Sequence, residues 1–245
     1  MNNPWGTLPS NQPYVLESDK QTIEQFHKHL CNYRGKQASL EDRWENECIR
    51  LELFPEPFIG RRDAPILLLN LNPGYSVDDQ KYHIEPEFES VTRLNLRHES
   101  LACPFYPLDP RFSGSPLAVW WAKALTPWYF LFENDLQAVS QIAQVVLAVE
   151  YFPYHSRRFG MRATRFRVPS QDYTFHLVRE ALKRDAIIVV LRGQQLWRKA
   201  IPELETYGLV YHSMGTQNVS LKPGKHLGAC YDESAWGRVK KVLQH

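Results

Sequence analysis

The chain has 245 residues, enough for one sizeable core or at most two small domains. Its 43% hydrophobic and 23% charged residues are ordinary for a globular protein, and a formal net charge of +2 does not mark a nucleic-acid binder by itself. No apolar run approaches ~18 residues, which excludes a membrane-spanning helix.

The leading MNNPWGTLPS lacks the charged-then-apolar order of a signal peptide, and Cys31, Cys48, Cys103 and Cys230 form no C-x-x-C pair. Reduced thiols and a cytoplasmic location are expected, with no metal and no cofactor. Ser18-Asp19-Lys20-Gln21 has capping-box spacing, and Ile23, Phe26 and Leu30 follow at helical intervals. Ser39-Leu40-Glu41-Asp42 starts a second helix, with Trp44, Cys48 and Leu51 on one face, ended by Phe54-Pro55-Glu56-Pro57.

A buried strand, Ile66–Leu69, comes next and breaks into Asn70-Leu71-Asn72-Pro73-Gly74. Residues 77 to 116 read as a long, Pro-punctuated irregular stretch, of the kind that is usually functional or partly disordered. Gly114-Ser115-Pro116 opens a helix over Leu117–Leu125, and a short helix near Leu136–Ala143 leads into a second strand, Val145–Val149. Helix Gln171–Arg184 feeds strand Ala186–Leu191. A helix around Gln195–Leu204, strand Leu209–Tyr211 and helix Asp232–Leu243 complete the chain.

Apolar strands separated by helices fit a parallel sheet covered on both faces. The fold class is therefore α/β: three layers, α/β/α, around a central four-stranded parallel sheet. Residues 1–60 form a helical extension packed on that core, and residues 61–245 form the α/β domain. Ligands of such sheets bind at the carboxyl ends of the strands. Asn70, Asn72, Glu150, Arg192 and His212 all stand at strand ends, so polar residues converge on one rim.

Asn72-Pro73-Gly74 after an apolar strand resembles the G-x-N-P-G motif of mismatch-specific members of the uracil-DNA glycosylase superfamily. The resemblance spans residues 64 to 228 and implies a monomeric DNA glycosylase that flips a base out of DNA, in repair or antiviral defence. It implies that Asn72 holds the hydrolytic water, with Asn70, in place of the usual Gly, bracing the loop. Phe105 or Tyr106 falls where a stacking aromatic is expected, and Tyr75 joins the base-binding set.

Glu150 occupies the strand end that is commonly Asn in uracil-specific members. As an acceptor it would read an exocyclic amine, favouring a cytosine-type base. It could equally activate water, or pair with Arg157, Arg158 or Arg192. His212 or Asn218 falls where the leaving base is contacted, and His155 competes for that role. His212-Ser213 lacks the family's intervening Pro. Arg157, Arg158, Arg162, Arg165 and Arg167 follow the second strand with no acid between them, and Lys222 and Lys225 add a second basic segment. Both suit DNA phosphates. A non-catalytic nucleic-acid-binding protein of the same fold is the alternative.

Overall fold

The computed structural model describes residues 1–32, 39–160, 163–212, 219, 221 and 233–244. Ile23, Phe26 and Leu30 form one buried stripe on helix α1 (Glu17–Asn32). This helix begins one residue before Ser18, and Asp19 turns inward instead of lying in a capping box. It accepts from the Tyr154 hydroxyl (2.7 Å) and the Ser170 amide (3.0 Å). Ser39 caps α2 (Leu40–Glu47), its Oγ accepting from the Asp42 amide at 3.1 Å. The expected apolar face is absent here, because the helix ends at Glu47 with Arg43 and Glu47 buried and Trp44 exposed.

Strand β1 (Phe58–Gly60) precedes β2 (Ile66–Asn70). Two helices occupy the stretch expected to be irregular, α3 (Asp79–His83) and α4 (Pro86–Leu96). Pro86 suits a first helical turn, which lacks amide partners anyway, and Phe88, Val91, Asn95 and Leu96 bury one face. Helix α5 (Pro116–Tyr129) is capped by Ser115 Oγ on the Ala118 amide (3.1 Å). Helix α6 (Asp135–Val145), strand β3 (Val146–Glu150), helix α7 (Gln171–Lys183) and strand β4 (Ile187–Val190) follow. Helix α8 (Gln194–Ala200) stops ahead of Pro202, and β5 (Val210–His212) and α9 (Glu233–Leu243) close the described chain.

The sheet has five strands in the order β1-β3-β2-β4-β5. The four expected strands are parallel neighbours, while β1 runs antiparallel along β3 with Phe58 opposite Val149. The four-stranded parallel sheet is thus corrected to a five-stranded mixed one. Gly60 admits this edge strand: its φ is +116°, and a Cβ there would lie 2.2 Å from Val146 O.

Successive strand residues face opposite ways. Leu67, Leu69, Leu147, Val149, Ile188 and Val190 pack with residues of α1, α7 and α8; Ile66, Leu68, Val146, Ala148, Ile187 and Val189 pack with residues of α5, α6 and α9. Helices cover both faces in three layers. Burying each large aliphatic side chain contributes roughly 1.5–3 kcal/mol. Trp5, Val15, Ile23 and Phe26 belong to the first of these cores, and β1 joins the sheet. Among the described residues no helix is long and apolar enough to cross a membrane.

Strand β2 lies between β3 and β4, so the chain first builds outward on one side and then crosses to the other. Such a reversal opens a crevice at the carboxyl ends of the central strands.

Candidate functional site

A cavity of about 220 Å³ occupies that crevice. Asn70 and Asn72 reach it from the end of β2, Glu150 from β3, and Arg192 from just beyond β4; Tyr75 and Trp120 supply aromatic walls.

Asn70 and Glu150 are register partners on adjacent strands, and Asn70 Nδ2 donates to Glu150 Oε1 at 3.1 Å. Their other oxygens, Asn70 Oδ1 and Glu150 Oε2, are buried without a partner. Trp197 Nε1 donates to the Asn70 carbonyl (2.7 Å) and fixes the strand end from below. Burial raises the Glu150 carboxyl to about 8, against the opposing pull of the Asn70 hydrogen bond and the Arg192 charge. At neutral pH this carboxyl is mostly protonated. The expected acceptor role therefore passes to Asn70 Oδ1, while Glu150 offers a donor. Arg192 lies 5.3 Å from the centre of the Trp120 ring. Arg157 and Arg158 do not pair with Glu150: Arg157 pairs with Glu45, and Arg158 is exposed.

Asn72 is half-buried, and its amide nitrogen donates to Pro73 O (2.7 Å), Ser156 Oγ (3.1 Å) and Ser156 O (3.3 Å). Two carbonyl acceptors can only face an NH₂, so the amide's orientation is fixed and Oδ1 remains as an acceptor. The expected division of labour is reversed in one respect. Asn72 braces the loop, whereas the Asn70 side chain turns to Glu150.

His155 lines the cavity but contacts Gly74 O through Nδ1 (2.6 Å) and Phe54 O through Nε2 (3.0 Å). Both ring nitrogens face carbonyl oxygens, which two N–H donors of a protonated ring would satisfy and a neutral ring could satisfy only singly, so it fastens the Asn72-Pro73-Gly74 turn instead of contacting a base. Burial pushes this ring down to about 4, against the two carbonyl oxygens, which favour its protonated form.

Glu56, His83 and His155 bring ligand-type atoms within 4.8 Å of one another, close enough to share a metal ion. Their hydrogen bonds oppose that use. His83 Nδ1 accepts from the Phe54 amide (2.9 Å), so its proton sits on Nε2, the atom facing Glu56 at 3.9 Å. The trio is a buried polar hub. Burial, with Asp79 and Glu150 nearby, holds the Glu56 carboxyl well above the usual range. Burial also lifts Asp79 to about 6, although the Ser76 amide donates to it.

Sequence reasoning missed Glu56, Asp79 and Trp120. A carboxylate flanked by Pro55 and Pro57 was the one available signal; it reads as a helix stop. Trp120 and Trp121 are adjacent on α5, and Trp121 is 1% exposed while Trp120 is partly open to the cavity.

Other expected site residues lie elsewhere. Phe105 and Tyr106 are both 0% exposed. Phe105 packs edge-on against Trp121, and Tyr106 against Phe88 and Phe112, because the Pro-rich loop folds down over the sheet. They cannot stack on a base; Tyr75 and Trp120 are partly open aromatics at the cavity, with the buried Trp121 also in its lining. Tyr75 is held by the Arg50 guanidinium 4.4 Å over its ring. His212, at the end of β5, does not line the cavity, since β4 stands between β5 and β2. Asn218, Arg162, Lys222 and Lys225 fall outside the described residues. Arg157, Arg158, Arg165 and Arg167 are exposed, and Arg167 pairs with Asp172.

A larger cavity of about 890 Å³ lies toward the amino ends of the central strands, lined by the Arg61–Asp63 and Lys183–Glu180 pairs. It contains none of the carboxyl-end polar groups.

Fold and site together define an α/β protein with a polar and aromatic cavity at the carboxyl ends of its parallel strands. Compared with known proteins, the chain matches no family model, no curated protein and no solved structure.

Proposed function

We propose that the chain is a DNA glycosylase, hydrolysing the N-glycosidic bond of a base flipped out of DNA. The observation that carries this reading is the cavity itself, closed by hydrogen-bonding groups at one end and by aromatic rings along its walls. Its volume of about 220 Å³ is many times the ~10–15 Å³ that holds a single water on the same measure, which leaves room for a heterocyclic base. Enzymes that act on a base in DNA extrude it into such a pocket and read its edge.

Tyr75 and Trp120 offer stacking faces, and Asn72 Oδ1 is the acceptor that would hold water against the sugar carbon. The resemblance of Asn72-Pro73-Gly74 to the glycosylase motif agrees with that role. The exposed Arg157, Arg158 and Arg165 lie beyond the end of β3, where phosphate contacts would steer a strand toward the cavity. Modified cytosines are the first bases to test, whether the setting is repair or defence against foreign DNA.

The test is base release from oligonucleotides carrying uracil, cytosine, hydroxymethylcytosine or glucosylated hydroxymethylcytosine, read as free base and as alkali-labile breaks. Release of at least one is expected. DNA binding without release from any of them would replace this reading with a non-catalytic DNA-binding protein.

A further inference from the structure

Two adjacent strand ends place two buried, unpartnered oxygens at one cavity, Asn70 Oδ1 and Glu150 Oε2. A buried polar atom without a hydrogen bond is costly, so such a pair calls for a ligand that supplies the missing partners. The Asn70 amide occupies Glu150 Oε1 (3.1 Å), which leaves Oε2 as the outer atom of the carboxyl. Asn70 Oδ1 can only accept. The ligand must therefore offer a donor to Asn70.

We infer that Asn70 Oδ1 accepts from the exocyclic amine of an amino-bearing base, while Glu150 Oε2 donates to that base's ring nitrogen and passes it a proton as the base departs. This rests on the glycosylase reading and assigns it a substrate class and an acid. The protonated state of Glu150 at neutral pH supports it. The groups around Glu150 are compatible. Arg192 beyond β4 places a positive charge near it, Glu56 before β1 is itself held toward its acid form, and His155 after β3 is drawn toward its neutral form by burial and toward its charged form by the two carbonyl oxygens it faces. Asp79 on α3 also lines the cavity.

At this edge uracil presents a ring N–H to the Glu150 proton and a carbonyl to Asn70 Oδ1, donor against donor and acceptor against acceptor, whereas the amino-bearing base offers its ring nitrogen to that proton and its amine to Asn70. The bond from sugar C1′ to the base breaks with its electron pair going to the base. The Glu150 proton moves to the ring nitrogen, and the base leaves neutral. Water adds hydroxide to C1′ and releases its other proton to solvent, from which Glu150 is reprotonated. The carboxylate formed in between faces Arg192, whose Nε is buried without a partner.

The test compares single-turnover release from cytosine-type and uracil oligonucleotides between pH 6 and 9.5. Wild type and Glu150→Gln are used, with the melting temperature taken at each pH to keep unfolding separate. Wild type should prefer the amino-bearing base at least about tenfold, and its rate should fall about tenfold per pH unit above about 8. Glu150→Gln keeps a donor but has no proton to give, so it should be slower by about 10²–10⁴-fold and lack that basic limb. A basic limb that persists in the variant, or equal release of uracil, overturns the inference. Binding of free cytosine and free uracil, followed by tryptophan fluorescence, needs no catalysis. If no oligonucleotide loses a base, the glycosylase reading falls. The paired edge then still stands if cytosine binds preferentially and Asn70→Ala abolishes the preference, and it falls if the two bind alike or neither binds.

Discussion

Asn72 Nδ2 satisfies two backbone carbonyls and a serine hydroxyl, so this one side chain both shapes the loop and presents an acceptor to the cavity. Asn72→Ala should therefore do two things at once. Leaving those carbonyls without a donor should cost about 1–3 kcal/mol of stability, measured by urea denaturation. Base release, measured under conditions where the variant is folded, should fall by about 100-fold or more while DNA affinity stays close to wild type. Unchanged release would mean that the water is held by another group. At this scale the sequence is informative where chemistry is continuous with a strand. Asn70, Asn72 and Glu150 are legible because each ends an apolar run. Glu56 and Trp120 are not, because they reach the cavity from a proline-flanked loop and a distant helix, and nothing local announces that meeting. Phe105 and Tyr106 mislead for a related reason: a Pro-flanked aromatic looks the same in sequence whether it faces solvent or the core.

Caps and stops carry most of the legible information about elements. Ser39 and Ser115 cap the helices their spacing announces, each through a side-chain oxygen on the amide three residues on. Helix α4 was hidden by its own start signal, since Glu85-Pro86 reads as one more break in a Pro-rich stretch. Strand β1 was hidden by brevity: three residues have no period, and its place is set by β3, far along the chain. Gly60 is where that pairing is most easily tested. Gly60→Ala meets both a positive φ and the Val146 carbonyl at 2.2 Å, and repacking means moving backbone. The expected loss is about 1–3 kcal/mol or more, with hydrogen exchange of the β1 amides rising before that of β2. Protection that stays equal in both strands would show that the edge accommodates the methyl group.

At the scale of the whole molecule, continuous apolar runs announced the parallel sheet because its strands are buried on both faces. Charge is less legible, since a near-zero net value hides local fields. Arg157→Ala with Arg158→Ala should weaken DNA binding alike across sequences and lower the salt slope by about 2, one per phosphate contact. The exposed Arg157–Glu45 pair, of a kind worth only about 0–1 kcal/mol, would not prevent such contacts. An unchanged slope would remove both arginines from the DNA face. The buried titratable groups give the molecule a further property, a stability that should fall on the alkaline side of neutrality. Glu150 is raised to about 8 and Asp79 to about 6, and Glu56 is also raised, so the folded state keeps these protons longer than the unfolded chain does. Their contribution is full below the ordinary carboxyl values and is lost as pH rises through the folded ones. His98 and His155 are lowered to about 4, and His83 lies well below its ordinary 6.5. Their contribution is present above 6.5 and is lost as pH falls below it. Between about 4 and 6.5 the two sets oppose each other. Above 6.5 the histidines no longer change, while each carboxyl still titrating removes up to about 1.4 kcal/mol per pH unit. The melting temperature should therefore decline between pH 6.5 and 8. Glu150→Gln mimics the protonated carboxyl and cannot ionise in either state, so its melting temperature relative to wild type should rise steadily from the ordinary carboxyl range to about pH 8 and be higher at pH 9 than at pH 6. A variant that declines as steeply as wild type would mean that Glu150 is already ionised in the folded protein at neutral pH.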